Sequence, residues 1–161
     1  IGGWPADITP ICDLAKEKGI YIIEDCSQAH GARVFSKGEY KSVGSFGDIS
    51  TWSFCQDKII TTGGEGGMVS MNSEELYNKV WSLKDHGKTI DSVFKKKHKF
   101  GFKWLHDQFG DNFRITEMQS AIGMFQIKNL DEWNQLSNRN AMILFKALKD
   151  NPLVSIIAFF I

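Results

Sequence analysis

Cysteine and histidine are scarce in this sequence of 161 residues, and neither is spaced as a metal site or a disulfide framework. The three cysteines, Cys12, Cys26 and Cys55, are odd in number and form no C-x-x-C pair. The four histidines also lack the spacing of metal ligands. We therefore expect no metal site, and reduced thiols favour a cytoplasmic protein.

Net charge is also absent, because 19 Lys and Arg balance 19 Asp and Glu. This balance gives no general reason to expect a nucleic acid or a membrane surface as a partner. The first residues lack the basic start and the long apolar stretch of a signal peptide. The apolar run VSIIAFFI at residues 154–161 is too short to span a bilayer and is predicted to form a strand.

The order of the predicted elements is that of an α/β protein. Asp7 is a candidate cap for a helix over residues 8–18, which Gly19 would end. Residues 20–23 are an apolar run typical of a buried parallel strand, which leads into Glu24-Asp25. Ligand-binding residues of parallel sheets gather at the carboxyl ends of strands. We therefore expect functional residues at this strand end.

The rest of the chain continues the alternation of strands and helices. Predicted in chain order are a loop or hairpin at 31–46, a strand at 48–54, a glycine-dense turn at 61–67, a strand at 68–71, a helix to about residue 85, a loop at 86–111 and a long helix from Thr116 toward Leu148. Asn72 and Glu75 have the spacing of a capping box for the shorter helix.

Three segments fit the needs of one cofactor. They are E-D-C-S-Q-A-H-G at 24–31, S-F-C-Q-D-K at 53–58 followed by the glycine turn with Glu65, and G-D-N-F-R at 110–114 before a helix with Gln119-Ser120-Ala121. They resemble the DegT/DnrJ/StrS family of sugar aminotransferases, which shows E-D-x-x-Q-x-x-G, S-F-x-x-x-K with T-T-G-E-G-G, and G-x-N-[YF]-R in this order. One segment alone would be weak evidence, but three in order are specific.

This resemblance implies part of the large domain of a fold type I transferase that depends on pyridoxal 5'-phosphate, with a mostly parallel sheet flanked by helices. Residues 1–150 would be a partial cofactor-binding large domain with its long exit helix. Residues 151–161 would be the truncated start of the small C-terminal domain. The implied activity moves an amino group from an amino acid, with glutamate favoured, to a keto sugar nucleotide in polysaccharide or related amino sugar biosynthesis. The implied assembly is a homodimer.

Two residues match the family's catalytic positions. Lys58 matches the lysine whose amine bonds to the cofactor aldehyde as a Schiff base and, once displaced, shuttles a proton. Outside this context Lys58 would be read as an ordinary solvated lysine. Asp25 matches the carboxylate that pairs with the ring nitrogen of the cofactor, although an aspartate here could also cap a turn. Glu24 is the weaker candidate, because adjacent residues of a strand face opposite sides.

Three further residues match cofactor-binding positions of the family. Gln28 matches a residue near the ring oxygen, Ser53 a hydroxyl that bonds the phosphate, and Asn112 a residue that reaches the phosphate of the other subunit. Arg114 is open between a substrate contact and an ion pair with a neighbouring acid. The basic run at 95–99 is open between a solvated loop and a contact with a sugar-nucleotide diphosphate.

Two departures from the family pattern keep other functions open. The family often has His-Pro where this chain has Cys55-Gln56-Asp57, and its phosphate-binding helix start upstream of the aspartate has no counterpart here. One alternative is a sugar dehydratase of the same fold, but its lysine position is commonly histidine. The other is a non-catalytic fragment. The first residue is not methionine, so we expect a partial chain that is inactive by itself.

Overall fold

The structure is a computed structural model that describes residues 2–97, 99–101 and 106–154. The chain divides into two compact units, one of residues 1–70 with 117–161 and one of residues 71–116. The strand predicted at the end of the chain lies outside the described residues. The domain boundary predicted at residue 150 stays a prediction.

The first helix, α1, spans Ile8–Lys18 as predicted. Gly19 ends it in the left-handed conformation, with φ 63°, a backbone that glycine adopts without strain. Lys16 and Lys18 in the last turn stabilise the negative end of the helix dipole. Asp7 does occupy the N-cap position, but its side chain makes no capping hydrogen bond, so that part of the prediction is wrong.

The first strand, β1, covers only Ile23–Asp25 and pairs in parallel with β4, Ile49–Ser53. The prediction of a buried strand at residues 20–23 is therefore wrong in its bounds and its burial. Ile20 and Tyr21 are 62% and 76% exposed. The physical reason is that β1 lies at the edge of a three-stranded sheet of order β1-β4-β5, where no described strand covers its outer side.

The third strand of this sheet, β5, covers Gly67–Met71. Its neighbour is β4. The hydroxyls of Ser50 in β4 and Ser70 in β5 are hydrogen-bonded, and after β4 the Phe54 N–H donates to the Gly66 carbonyl just before β5. Residue numbers thus fall along β5 as they rise along β4, so these strands run antiparallel. The α/β class is confirmed, and the described sheet is mixed. A separate hairpin of β2, Arg33–Ser36, and β3, Glu39–Ser42, lies within the segment predicted as a loop or hairpin.

Three further helices follow the sheet strands. They are α2 at Glu74–Lys84, α3 at Glu117–Gln126 and α4 at Leu130–Leu148. The N-cap of α2 is Ser73, whose hydroxyl accepts a hydrogen bond from the Leu76 N–H, so the predicted Asn72 cap is wrong by one residue. The long helix from residue 116 is confirmed, except that a 3-10 turn at Ile127–Asn129 separates α3 from α4. None of the described helices has the length and apolar character needed to cross a membrane.

The carboxylate of Glu24 fixes the loop between the hairpin and β4. It accepts hydrogen bonds from the backbone N–H groups of Gly44, Phe46 and Gly47 at 2.8, 2.7 and 2.6 Å. Bonds to an ionised acceptor are stronger than neutral ones, and these three satisfy donors of a partly buried loop. Glu24 therefore ties β1 to the segment that leads into β4.

We predict that Glu24→Gln lowers the free energy of unfolding by about 1–3 kcal/mol, because one acceptor oxygen becomes a donor facing backbone donors. Urea unfolding of the complete chain, followed by circular dichroism, measures the change. Glu17→Gln is the matched control, since the Glu17 side chain is exposed and pairs with that of its neighbour Lys18. Equal losses for the two variants would show that the Glu24 bonds do not stabilise the fold.

Candidate functional site

The parallel register of β1 and β4 brings Asp25 beside Thr51. Ser53 lies two residues beyond Thr51, so it faces the same side of the sheet. Glu24 faces the opposite side, where it binds the hairpin loop. The expectation that Glu24 and Asp25 diverge is therefore met, and Asp25, Thr51 and Ser53 form one polar row at the carboxyl ends of two neighbouring strands.

Asp25 is held as an ionised carboxylate by its neighbour Ser27. The Ser27 hydroxyl and the Ser27 backbone N–H both donate to Asp25 Oδ1, the latter at 3.0 Å. These bonds, the hydroxyl first, hold the pKa of the Asp25 carboxyl below its usual range. A carboxylate in this state accepts a hydrogen bond from a cationic N–H.

Lys58 lies in the turn that follows β4. Its backbone N–H donates to the Cys55 carbonyl at 3.1 Å, and its side chain is only 18% exposed. Its Nζ donates to Asp57 Oδ1 at 2.8 Å, and this bond raises the pKa of the Lys58 amine. An ordinary solvated lysine is more exposed, but Lys88 is exposed to the same 18%, so it is the position of Lys58 after β4 that supports a specific role. The sequence did not predict the pair with Asp57.

The glycine turn after Lys58 packs against α3. Gly63 has φ 83°, and a Cβ there would lie 2.9 Å from Ile122 Cδ1. The Gln119 side-chain amide donates to the Glu65 carbonyl, and the Thr61 N–H donates to the side-chain oxygen of Gln126, each at 2.6 Å. Two side chains of α3 therefore hold the turn. Sequence reasoning missed Gln126, which lies outside the matching motif.

Cys55 contacts Gly64 and Glu65, so it links the two ends of the loop that carries Lys58. Its backbone forms an isolated parallel bridge with Gly64, and its thiol lies 3.2 Å from Glu65 Oε1 as a donor. The bond to Glu65 is the main reason that the pKa of the Cys55 thiol is raised, so the thiol stays protonated. Its N–H donates to Ser53 Oγ at 3.3 Å.

Gln28 and His30 follow Asp25 in the same loop. The Gln28 Oε1 accepts from the Gly2 N–H at 2.7 Å, and this bond does not use the two N–H groups of the amide. His30 is 3% exposed and packs near the rings of Trp52 and Phe54, with centroids 5.7 and 5.9 Å away. Burial lowers the pKa of His30, so it packs as a neutral ring.

Asn112 and Arg114 lie in the second unit. Arg114 Nη1 pairs with Asp85 Oδ1 at 3.0 Å, and Arg114 Nε donates to Asn112 Oδ1 at 2.9 Å. Of the two roles left open for Arg114, the structure shows the ion pair with an acid. The side-chain oxygen of Asn112 accepts the hydrogen bond from Arg114, so the side-chain NH2 of Asn112 is the group left to donate to a phosphate.

In the basic run at residues 95–99, one of the described lysines is paired with an acid. Lys95 pairs with Asp91 at 2.7 Å, and Lys96 Nζ lies 3.5 Å from Ser92 Oγ as a donor. A metal-binding group of three or more His, Cys, Asp or Glu side chains is not found in the part of the chain that the structure describes. The charged groups around the Lys58 amine are Asp57 and Glu65.

Comparison with known proteins places this arrangement in a family. The family model for DegT/DnrJ/EryC1/StrS aminotransferases matches residues 1–159. GDP-perosamine synthase from Escherichia coli O157:H7 is 38% identical over 154 residues, which are 96% of this chain and 38% of that protein. The X-ray structure of the aminotransferase from Psychrobacter cryohalolentis has a TM-score of 0.84 at 47% identity, covering 92% of this chain and 37% of that one.

A second solved structure is a dehydratase. GDP-4-keto-6-deoxy-D-mannose-3-dehydratase from Escherichia coli, solved with bound hydrated PLP, has a TM-score of 0.76 at 26% identity, covering 98% of this chain and 41% of that one. The chain thus spans well under half the length of the relatives that it matches. The predicted fold type I architecture is confirmed. On the family match and the ordered motifs together, the chain belongs to the DegT/DnrJ/EryC1/StrS aminotransferase family.

Proposed function

We propose that the protein is a pyridoxal 5'-phosphate-dependent aminotransferase that moves an amino group from an amino acid to a keto sugar nucleotide. The observation that carries this proposal is the position of Lys58 in the turn after β4, the strand that also sets Ser53 on the Asp25 face. The match to GDP-perosamine synthase supports a sugar nucleotide as the acceptor. Glutamate is the donor that we favour.

The residues of the site fit this cofactor chemically. When bound, the cofactor supplies an electron-withdrawing ring that stabilises negative charge at the substrate carbon. Asp25, kept ionised by Ser27, would accept a hydrogen bond from the ring nitrogen and keep that nitrogen protonated. The Ser53 hydroxyl would bond the phosphate, and the Gln28 amide would donate to the ring oxygen.

Lys58 is the residue that would act on the substrate. As a neutral amine, its Nζ would shuttle a proton between the substrate α-carbon and the cofactor. Asp57, which contacts the same Nζ, is the nearest group that could hold the resulting ammonium.

The finer statements about the whole protein are also proposals. A homodimer would let Asn112 of one subunit donate its NH2 to the phosphate bound by the other. Three cysteines without a disulfide spacing support a cytoplasmic enzyme, and the match to GDP-perosamine synthase supports a role in polysaccharide or other amino sugar biosynthesis. The expectation that these 161 residues do not catalyse the reaction alone stays a prediction. It is supported by the 38% coverage of GDP-perosamine synthase.

A sugar dehydratase is the second candidate, because a dehydratase is among the similar structures. The dehydratases of the family commonly carry histidine where this chain has Lys58. Lysine at this position favours amino transfer, since only an amine forms the covalent link that the reaction requires.

We predict that Lys58→Ala in the complete protein removes nearly all turnover and the visible absorbance of the bound cofactor, because the covalent link is lost. Absorbance spectra and an amino-transfer assay with glutamate measure both effects. Lys128→Ala, at an exposed lysine in the turn after α3, is the matched control and should keep both signals. An active Lys58→Ala protein would contradict the assignment.

We predict that Asp25→Asn still binds the cofactor but loses orders of magnitude in kcat, because an amide does not hold the ring nitrogen protonated. The Ser27 bonds keep the pKa of Asp25 low, so Asp25 stays ionised from neutral to mildly acidic pH. Asp150→Asn, an exposed carboxylate that is 87% accessible, is the control. Near wild-type turnover of Asp25→Asn would make Asp25 a structural residue.

A further inference from the structure

The contact between Lys58 and Asp57 is made by consecutive residues of one turn. Lys58 Nζ lies 2.8 Å from Asp57 Oδ1, and the Asp57 side chain is 70% exposed while that of Lys58 is 18% exposed. The carboxylate thus reaches the amine from the solvent side of the turn. Asp57 belongs to the stretch Cys55-Gln56-Asp57, in which this chain departs from the family pattern.

The other ionisable groups around the Lys58 amine favour its charged form or are neutral. Glu65 is a second carboxylate, and its negative charge raises the pKa of the Lys58 amine, as that of Asp57 does. A Cys55 thiolate would act in the same direction. Cys55 donates its thiol hydrogen to Glu65 and is protonated. His30 is held neutral by burial. The bond to Asp57 is the largest cause of the raised pKa of Lys58.

Covalent capture of an aldehyde requires the opposite state of this amine. The Lys58 ammonium must first release one proton to solvent and leave Asp57. The neutral nitrogen then forms a bond to the aldehyde carbon, and the aldehyde oxygen leaves as water with the two remaining amine hydrogens. The product is a carbon–nitrogen double bond. Breaking the contact with Asp57 is therefore part of the cost of capture.

We propose that Asp57 is a positioning residue. Before Lys58 is bonded to the cofactor, Asp57 Oδ1 holds its amine as an ammonium and so sets the pH range in which Lys58 captures the cofactor aldehyde. This inference rests on the proposed role of Lys58. Asp57 acts on the aldehyde through the lysine, and its carboxylate also accepts a hydrogen bond from the Cys55 thiol. Because it is exposed and lies in a turn, its replacement should leave the fold intact.

The first test measures how the reactivity of the Lys58 amine depends on pH in the absence of the cofactor. The complete chain is treated with formaldehyde and cyanoborohydride over a range of pH, and methylation of Lys58 is followed by mass spectrometry. Asp57→Asn should move the labelling curve of Lys58 to lower pH and make labelling several-fold faster at neutral pH. Asp57→Ser should do the same, and Asp57→Glu should restore the wild-type curve.

Asp13→Asn is the matched control, because Asp13 pairs with Lys37 at 3.1 Å. This substitution removes the same negative charge from the same compact unit as Asp57→Asn does. It should leave the Lys58 curve unchanged. A Lys58 curve that is the same in wild type, Asp57→Asn and Asp57→Ser would overturn the inference. So would an Asp13→Asn curve shifted as far as that of Asp57→Asn, because the effect would then be one of net charge.

The second test separates this inference from the proposed function. Uptake of pyridoxal 5'-phosphate by the cofactor-free chain is followed by absorbance over the same pH range. Asp57→Asn should capture the cofactor at lower pH than wild type. If wild-type Lys58 captures the cofactor but Asp57→Asn has the same pH dependence, only the role of Asp57 fails. If wild-type Lys58 does not capture the cofactor, the proposed function fails and the inference fails with it.

Discussion

The parallel pairing of β1 with β4 is the constraint on which the candidate site depends. Its register sets Asp25 opposite Thr51, and the alternation of side chains then places Ser53 on the same face. A shift of one residue would turn Asp25 toward the hairpin and bring Glu24 to the face that carries Ser53. Lys58 lies five residues after Ser53, the last residue of β4, so the same strand fixes the start of its turn.

The two adjacent carboxylates at the end of β1 show how this register divides roles. Glu24 binds three backbone N–H groups of the loop that leads into β4 and so stabilises the pairing itself. Asp25 takes its hydrogen bonds from Ser27 and remains exposed on the other face. A structural acid and a candidate catalytic acid thus lie next to each other, separated only by the pleat of the strand.

The sequence predicted best where the determinants are local. Gly19 ends α1 because a left-handed residue is required there, and the ordered motifs identified the family. Prediction failed at residues 20–23, because burial depends on which strands cover an edge and an apolar run does not carry that information. The Asp57–Lys58 pair and the Gln126 contact were missed, since side-chain geometry within a turn and across sixty-five residues has no periodic signal.

The account has one central claim, which is that Lys58 is the residue that binds pyridoxal 5'-phosphate covalently. The position of Lys58 after β4 and the ionised Asp25 at the end of the paired strand β1 are the physical basis of that claim. The most direct measurement is borohydride reduction of the cofactor-loaded complete protein, followed by peptide mapping. The account predicts a single phosphopyridoxyl label on the peptide that contains Lys58. A label on another lysine, or a cofactor that washes off unreduced, would contradict it.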